Sequence, residues 1–144
     1  MNVAALIRSR TEVFSIPSDM TVHDAARYLR EKEIRAVGVC DQTGKLVGVI
    51  SQSDISDKVA AENKCPAWMR VSEIMTSTPI LASPETPLDE CMRLMEQHGI
   101  FHLAVVDSKI GYRGMISVAD LLRLIAVDHK DRADMLEALL FPQR

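Results

Sequence analysis

The run Gly48-Val49-Ile50-Ser51-Gln52-Ser53-Asp54 returns 66 positions later as Gly114-Met115-Ile116-Ser117-Val118-Ala119-Asp120. The same offset lays Phe14 to Ile55 on Ile80 to Leu121 without a gap and matches Arg27 to Arg93, Ile34 to Ile100, Val39 to Val105 and Asp41 to Asp107. The chain is therefore an internal duplication. A chain of 144 residues built this way makes two half-size units, and two small units bury a core well only by sharing it.

Each copy implies the same order of elements. A short apolar segment closed by a Pro/Ser pair comes first, Val13 to Ile16 or Pro79 to Ala82. A helix follows, with Thr21 or Thr86 as N-cap, Pro87 at the first helical position, and an apolar face of Val22, Ala25, Ala26 and Leu29 or Leu88, Cys91, Met92 and Met95. Gly99 supplies a stop signal for the second copy. Two antiparallel strands come next, Ala36 to Cys40 with Leu46 to Ile50, and Leu103 to Val106 with Tyr112 to Ile116, joined by connectors of hairpin chemistry. A second helix closes each unit, about Ser53 to Ala61 and Val118 to Val127. The fold class is α+β, with two strand-helix-strand-strand-helix repeats related by pseudo-twofold symmetry.

On this reading repeat 1 with its lead-in occupies 1–61, a polar linker 62–70, repeat 2 71–127 and a helical tail 128–144. Val3 to Arg8 is a degenerate counterpart of Val71 to Thr76, displaced by 68 rather than 66. In the tail, Met135, Leu136, Leu139 and Leu140 stand at helical spacing, so this segment is expected to pack on the module or on a second subunit.

Composition excludes several functions. A net charge of −3 and few aromatic residues offer nucleic acid neither electrostatic attraction nor a stacking platform. No apolar run reaches bilayer length, and Arg8, Arg10 and Glu12 stand where a signal peptide would be apolar, so a cytoplasmic protein without a membrane partner is expected. Cys40, Cys65 and Cys91 lack paired spacing; Cys40 and Cys91 read as buried small hydrophobes and Cys65 as an exposed thiol. His98 and His102 have metal-pair spacing, but Gly99 interrupts them and no third ligand is evident, so no metal is expected. His23 and His129 read as surface residues, and Arg27 and Arg93 as part of an exposed charged face. No nucleophile elbow, P-loop, zinc-protease or dinucleotide glycine motif is present, and the chain is expected not to be an enzyme.

Ser51-x-x-Asp54 and Ser117-x-x-Asp120 admit two readings. One is capping, in which the side chains satisfy exposed amides at a helix start, as Thr21-x-x-Asp24 and Thr86-x-x-Asp89 are expected to do. The other is ligand binding, which the preceding Gly and apolar strand favour. The two are compatible, because a helix start is also where anions bind.

The arrangement resembles the tandem CBS (cystathionine beta-synthase) domain pair. The likeness rests on the duplication, both G-h-x-S-x-x-D motifs, and in the second copy Ile74-Met75-Thr76, Glu90-Cys91-Met92, Ile100 to Val105 and Gly114 to Leu121. It implies a regulatory module that binds AMP, ADP, ATP, S-adenosylmethionine or NADH between its repeats and signals by changing shape. It implies Asp54 and Asp120 as ribose acceptors and Ser51 and Ser117 as phosphate contacts. Adenine would sit between Phe14 and Ile16, or Ile80 and Ala82, and the hairpin starts at Ala36 and Val37, or His102 and Leu103. Phe101 replaces the family's arginine and leaves His102 as the phosphate partner of that segment, while Arg35 offers a compensating charge and Gln52-Ser53 and Gly38 depart from the usual pattern. Asymmetric occupancy follows, with Asp120 the stronger site. The resemblance also implies a homodimer and an unidentified protein target. The competing reading is a structural dimerisation or interaction module with degenerate pockets.

Overall fold

The computed structural model describes residues 2–140, the side chain of Leu139 excepted. Its elements run α1 (Ala4–Arg8), β1 (Ser15–Pro17), α2 (Val22–Lys32), β2 (Ala36–Cys40), β3 (Leu46–Ser51), α3 (Gln52–Ile55), α4 (Val71–Ile74), β4 (Leu81–Ala82), α5 (Leu88–His98), β5 (His102–Asp107), β6 (Gly111–Ser117) and α6 (Val118–Leu140). Each repeat forms a three-stranded sheet whose first strand pairs parallel with the second and whose hairpin pairs antiparallel. The parallel pairing needs a crossover, and α2 and α5 supply it, burying Val22, Ala25 and Leu29 or Leu88, Cys91 and Met95. Cys40 is buried with Cys91, and Cys65 is exposed.

The two crossover helices start differently. Thr21 caps α2 by accepting a hydrogen bond from the Asp24 amide at 3.1 Å. Thr86 does not cap α5: Pro87 is the N-cap, and the Thr86 hydroxyl accepts from the Ser83 amide instead. The reason lies in the alignment, since 66 residues after Thr21 stands Pro87, whose side chain has no acceptor. At the other end Gly99 is left-handed, as its stop signal implied, and its counterpart Glu33 takes the same conformation with φ 55°.

The two lead-in segments exchange places. Val3 and Ile7 are buried with Ala82, Leu88, Leu103 and Leu121 in the core of the second repeat, whereas Val71 and Ile74 are buried with Ile16, Leu29, Val37 and Ile50 in the core of the first. Matching hydrogen bonds hold the exchange: Val71 N donates to Met20 O and Ser72 N to Ser18 O, as Val3 N does to Thr86 O and Ala4 N to Pro84 O. The repeats therefore complete each other's cores.

The closing helices are not equivalent. The first begins as α3 and continues as a wider π-turn over 56–60, in which Val59 is buried. The second does not stop near Val127: α6 runs unbroken for 23 residues. The expected packing of the tail on its own module is corrected accordingly, because Met135, Leu136 and Leu140 are exposed. The absence of a turn-forming residue between Val127 and Met135 lets the helix continue past Val127. Leu139 as a packing side chain, and residues 141–144, lie outside the described residues.

Candidate ligand-binding cleft

Both Ser-x-x-Asp motifs stand where a hairpin strand turns into a helix. Gln52 N donates to Arg35 O at 2.9 Å and Val118 N to Phe101 O at 3.0 Å, so the residue before each hairpin is tied to the motif that follows it. In the first copy Ser51 N donates to Asp54 Oδ2 at 2.9 Å and Asp54 N to Ser51 Oγ at 3.2 Å. In the second, Ser117 N donates to Asp120 Oδ2 at 2.9 Å and Asp120 N to Ser117 Oγ at 3.1 Å. Both are reciprocal caps. The capping reading is thus realised, and in each carboxylate the second oxygen, Oδ1, stays directed at a cation: Lys58 Nζ at 3.1 Å from Asp54 and Arg123 Nη2 at 3.7 Å from Asp120.

A cleft of about 1440 Å³ lies between the repeats. It brings together Phe14, Arg35, Ala36, Val37, Ser51, Asp54, Ile80, Phe101, His102, Ser117 and Asp120. It does not include Ile16, Ala82 or Leu103, which are buried at 2%, 5% and 0% exposure. Alternation along β5 accounts for Leu103, which faces the core while its neighbour His102 turns toward the cleft; Ile16 and Ala82 lie inside β1 and β4 and are covered by the core, whereas Phe14 and Ile80 stand just before those strands. Phe14 packs edge-on against Tyr28, with centroids 6.3 Å apart, under the Lys32 ammonium. Phe101 lines the cleft and is 70% exposed.

Sequence reasoning missed Lys58, Arg123 and Tyr112 at the site, and above all Arg10. Arg10, in the turn after α1, reaches from the first repeat's lead-in to the second repeat's motif, its Nη2 3.0 Å from Asp120 Oδ2 and its Nη1 bonded to Met115 O. The signal was present but concealed by the change of offset: shifting by 68 sets Arg10 against Thr78, so the lead-in swap puts an arginine beside Asp120 and a threonine on the corresponding path. The backbone differs in step. Val49 and Thr76 exchange two backbone hydrogen bonds at 3.0 and 2.9 Å, and at the equivalent Met115 the carbonyl is taken by the guanidinium.

The second motif is therefore the more basic one, with Arg10 and Arg123 on Asp120 and Arg35 close to His102. Burial holds His102 below the ordinary imidazole range; Asp120 opposes that shift and Arg35 adds to it. A neutral imidazole beside arginines can take a proton when an anion enters. Across the floor of the cleft, the Tyr112 hydroxyl accepts from Gly38 N at 3.1 Å, and burial raises the phenol's pKa further from neutrality. Arg27 and Arg93 stay on the outer helix faces, paired with Glu31 and Glu90. Among the described residues no group of three His, Cys, Asp or Glu side chains converges as metal ligands, and no helix is long and apolar enough to cross a membrane.

A family model described as the CBS domain matches residues 3–61 and 71–127. Among solved structures, a CBS-domain protein from Burkholderia ambifaria MC40-6 superposes with a TM-score of 0.82 at 29% identity, covering 89% of this chain and 96% of that one. The CBS domain pair of protein MJ0100, solved in complex with 5'-methylthioadenosine and S-adenosyl-L-methionine, superposes with a TM-score of 0.79 at 28% identity, covering 89% and 98%. The homoserine O-acetyltransferase of Methanohalobium evestigatum is 31% identical over 114 residues, which are 79% of this chain, and the chain spans 22% of that enzyme's length.

Proposed function

Since the chain belongs to the CBS-domain family and carries two such domains in tandem, we propose that it is a regulatory module whose inter-repeat cleft binds an adenine-containing ligand and signals by a change in shape, without catalysis of its own. The observation that carries this reading is the convergence of two pseudo-symmetric Ser-x-x-Asp caps, Ser51 with Asp54 and Ser117 with Asp120, on one cleft. A carboxylate held by its neighbouring backbone amide is oriented in advance for the two hydroxyls of a ribose, and the helix-start amides and Arg35, His102 and Arg123 suit phosphate oxygens. The adenosine derivatives held by the MJ0100 pair support the same ligand class.

Asp120 is the stronger of the two sites in this proposal, because more fixed positive charge surrounds it. Occupancy shifts the module only to the extent that the ligand prefers one arrangement of the repeats over another. The swapped lead-ins provide the mechanical link, since a displacement at either motif bears on a segment rooted in the opposite repeat. Equilibrium titration of AMP, ATP, S-adenosylmethionine and NADH into wild type, Asp54→Ala and Asp120→Ala tests the reading. Loss of binding in the variants is expected, with Asp120→Ala the more severe; wild type that binds none of the four would refute it.

Self-association into a homodimer is proposed alongside, on the exposed Leu122, Val127, Met135, Leu136 and Leu140 of α6. Sedimentation of wild type and of Leu136→Glu/Leu140→Glu tests it, and a monomeric wild type at high concentration would exclude it. A dimer that forms without nucleotide, together with empty pockets, would instead favour a purely structural module.

A further inference from the structure

Arg10 occupies part of the carboxylate that a ligand would need. Its Nη2 shares Asp120 Oδ2 with the Ser117 amide, its Nη1 is bonded to Met115 O, and its side chain is 29% exposed while Asp120 is 25% exposed. On Asp54 the cation is local: Lys58 pairs with the other oxygen at 3.1 Å from within the same helical segment and is anchored to Ile74 O at 2.8 Å, and among the described residues no arginine from a lead-in lies on this carboxylate. A ribose that engages both oxygens of Asp120 must therefore move the Arg10 guanidinium, and what that displacement costs depends on what the ligand offers in return.

We infer that Arg10 is a charge filter for the second site, admitting adenosine derivatives that carry phosphate and disfavouring neutral or cationic ones. This rests on the ligand class proposed above. A 5'-phosphorylated nucleoside supplies an anion to which the displaced guanidinium can turn, with Arg35 and His102 already facing the same space. Adenosine, which carries no anionic group, takes the carboxylate partner and returns none, leaving a half-buried arginine without its ion pair. The first site, where a flexible local lysine stands in place of this arginine, should discriminate less between the two classes. Because Arg10 belongs to the lead-in that completes the second repeat's core, the same displacement loosens that lead-in only when a phosphorylated ligand enters.

The experiment is titration of ¹⁵N-labelled protein with AMP and with adenosine, following the Ser117 and Asp120 amides, in wild type, Arg10→Gln and Arg10→Lys. The amide spectrum also reports directly whether each variant is folded. Wild type is expected to favour AMP over adenosine at these amides. In Arg10→Gln that preference should fall roughly tenfold or more, with adenosine binding unchanged or tighter, and Arg10→Lys should keep much of it. An unchanged preference in Arg10→Gln, or equal affinity for both ligands in wild type, overturns the inference while leaving the cleft's ligand class standing. No response to either ligand in any of the three proteins overturns both.

Discussion

The Tyr112 hydroxyl of the second repeat accepts the Gly38 amide of the first at 3.1 Å, and a Cβ on Gly38 would fall 2.3 Å from the Tyr112 ring. A proline at position 38 would remove that donor and collide with that ring. Removing the hydroxyl in Tyr112→Phe leaves a buried amide unsatisfied and is expected to cost about 1–3 kcal/mol. Gly38→Ala should cost about 1–3 kcal/mol through overpacking, and much less in a Tyr112→Ala background where the space is free. Denaturant midpoints of the four proteins close the cycle; additive effects would show that the two residues are not coupled.

Gly48 is required by space of another kind. Its Cβ would lie 2.6 Å from Met75 Sδ and 2.9 Å from Thr76 O, where the lead-in to the second repeat pairs with Val49 of the first. Gly48→Ala should destabilise by about 1–3 kcal/mol and speed hydrogen exchange at Val49 and Thr76 before other amides. Uniformly faster exchange would mean that the exchanged lead-in is not held locally by this contact.

Glu33 ends α2 in the left-handed conformation that Gly99 adopts at the end of α5. A side chain there carries a steric cost of about 1–2 kcal/mol, partly offset by the backbone entropy that glycine loses on folding. Glu33→Gly is therefore expected to raise stability by about 0.5–1 kcal/mol, read as a higher thermal midpoint. A lower midpoint would show that the Glu33 side chain contributes something the backbone geometry does not.

His102 makes stability and binding respond to pH in opposite directions. Its pKa is lowered in the fold, chiefly by burial, so between the unfolded value of about 6.5 and the folded value the unfolded chain binds more protons. Its contribution is complete above about pH 6.5 and is lost as pH falls through the folded value. A phosphate beside the ring favours the protonated form, so nucleotide binding takes up a proton and should tighten on acidification from neutrality. His102→Asn should flatten both trends; a nucleotide affinity that stays pH-dependent in this variant would assign the effect elsewhere.

Much of this was legible along the chain because it depends on local pattern. The 66-residue offset, the helical apolar faces, the hairpin connectors and the Ser-x-x-Asp caps are each written within a short stretch, and the strands and helices appear where those patterns place them. Errors arose where neighbours in space decided. Thr86 suits a cap by residue type, yet the residue equivalent to Thr21 is Pro87, and the Thr86 hydroxyl turns to the Ser83 amide. Ile16, Ala82 and Leu103 belong to segments that border the cleft, but packing of the crossover helices and lead-ins holds them inside the cores.

By itself, then, the sequence determined that this protein is two copies of one strand-helix-strand-strand-helix unit, and where in each copy a carboxylate caps the closing helix. Only the tertiary structure decided that each lead-in completes the opposite core, that Gly38 makes room for Tyr112, and that Arg10 of the first repeat's lead-in joins Arg123 on Asp120. The physical reason is range. Periodicity and capping act between residues a few positions apart and leave a record in order, whereas a contact across 110 positions depends on burial of both cores at once and leaves no local pattern to read.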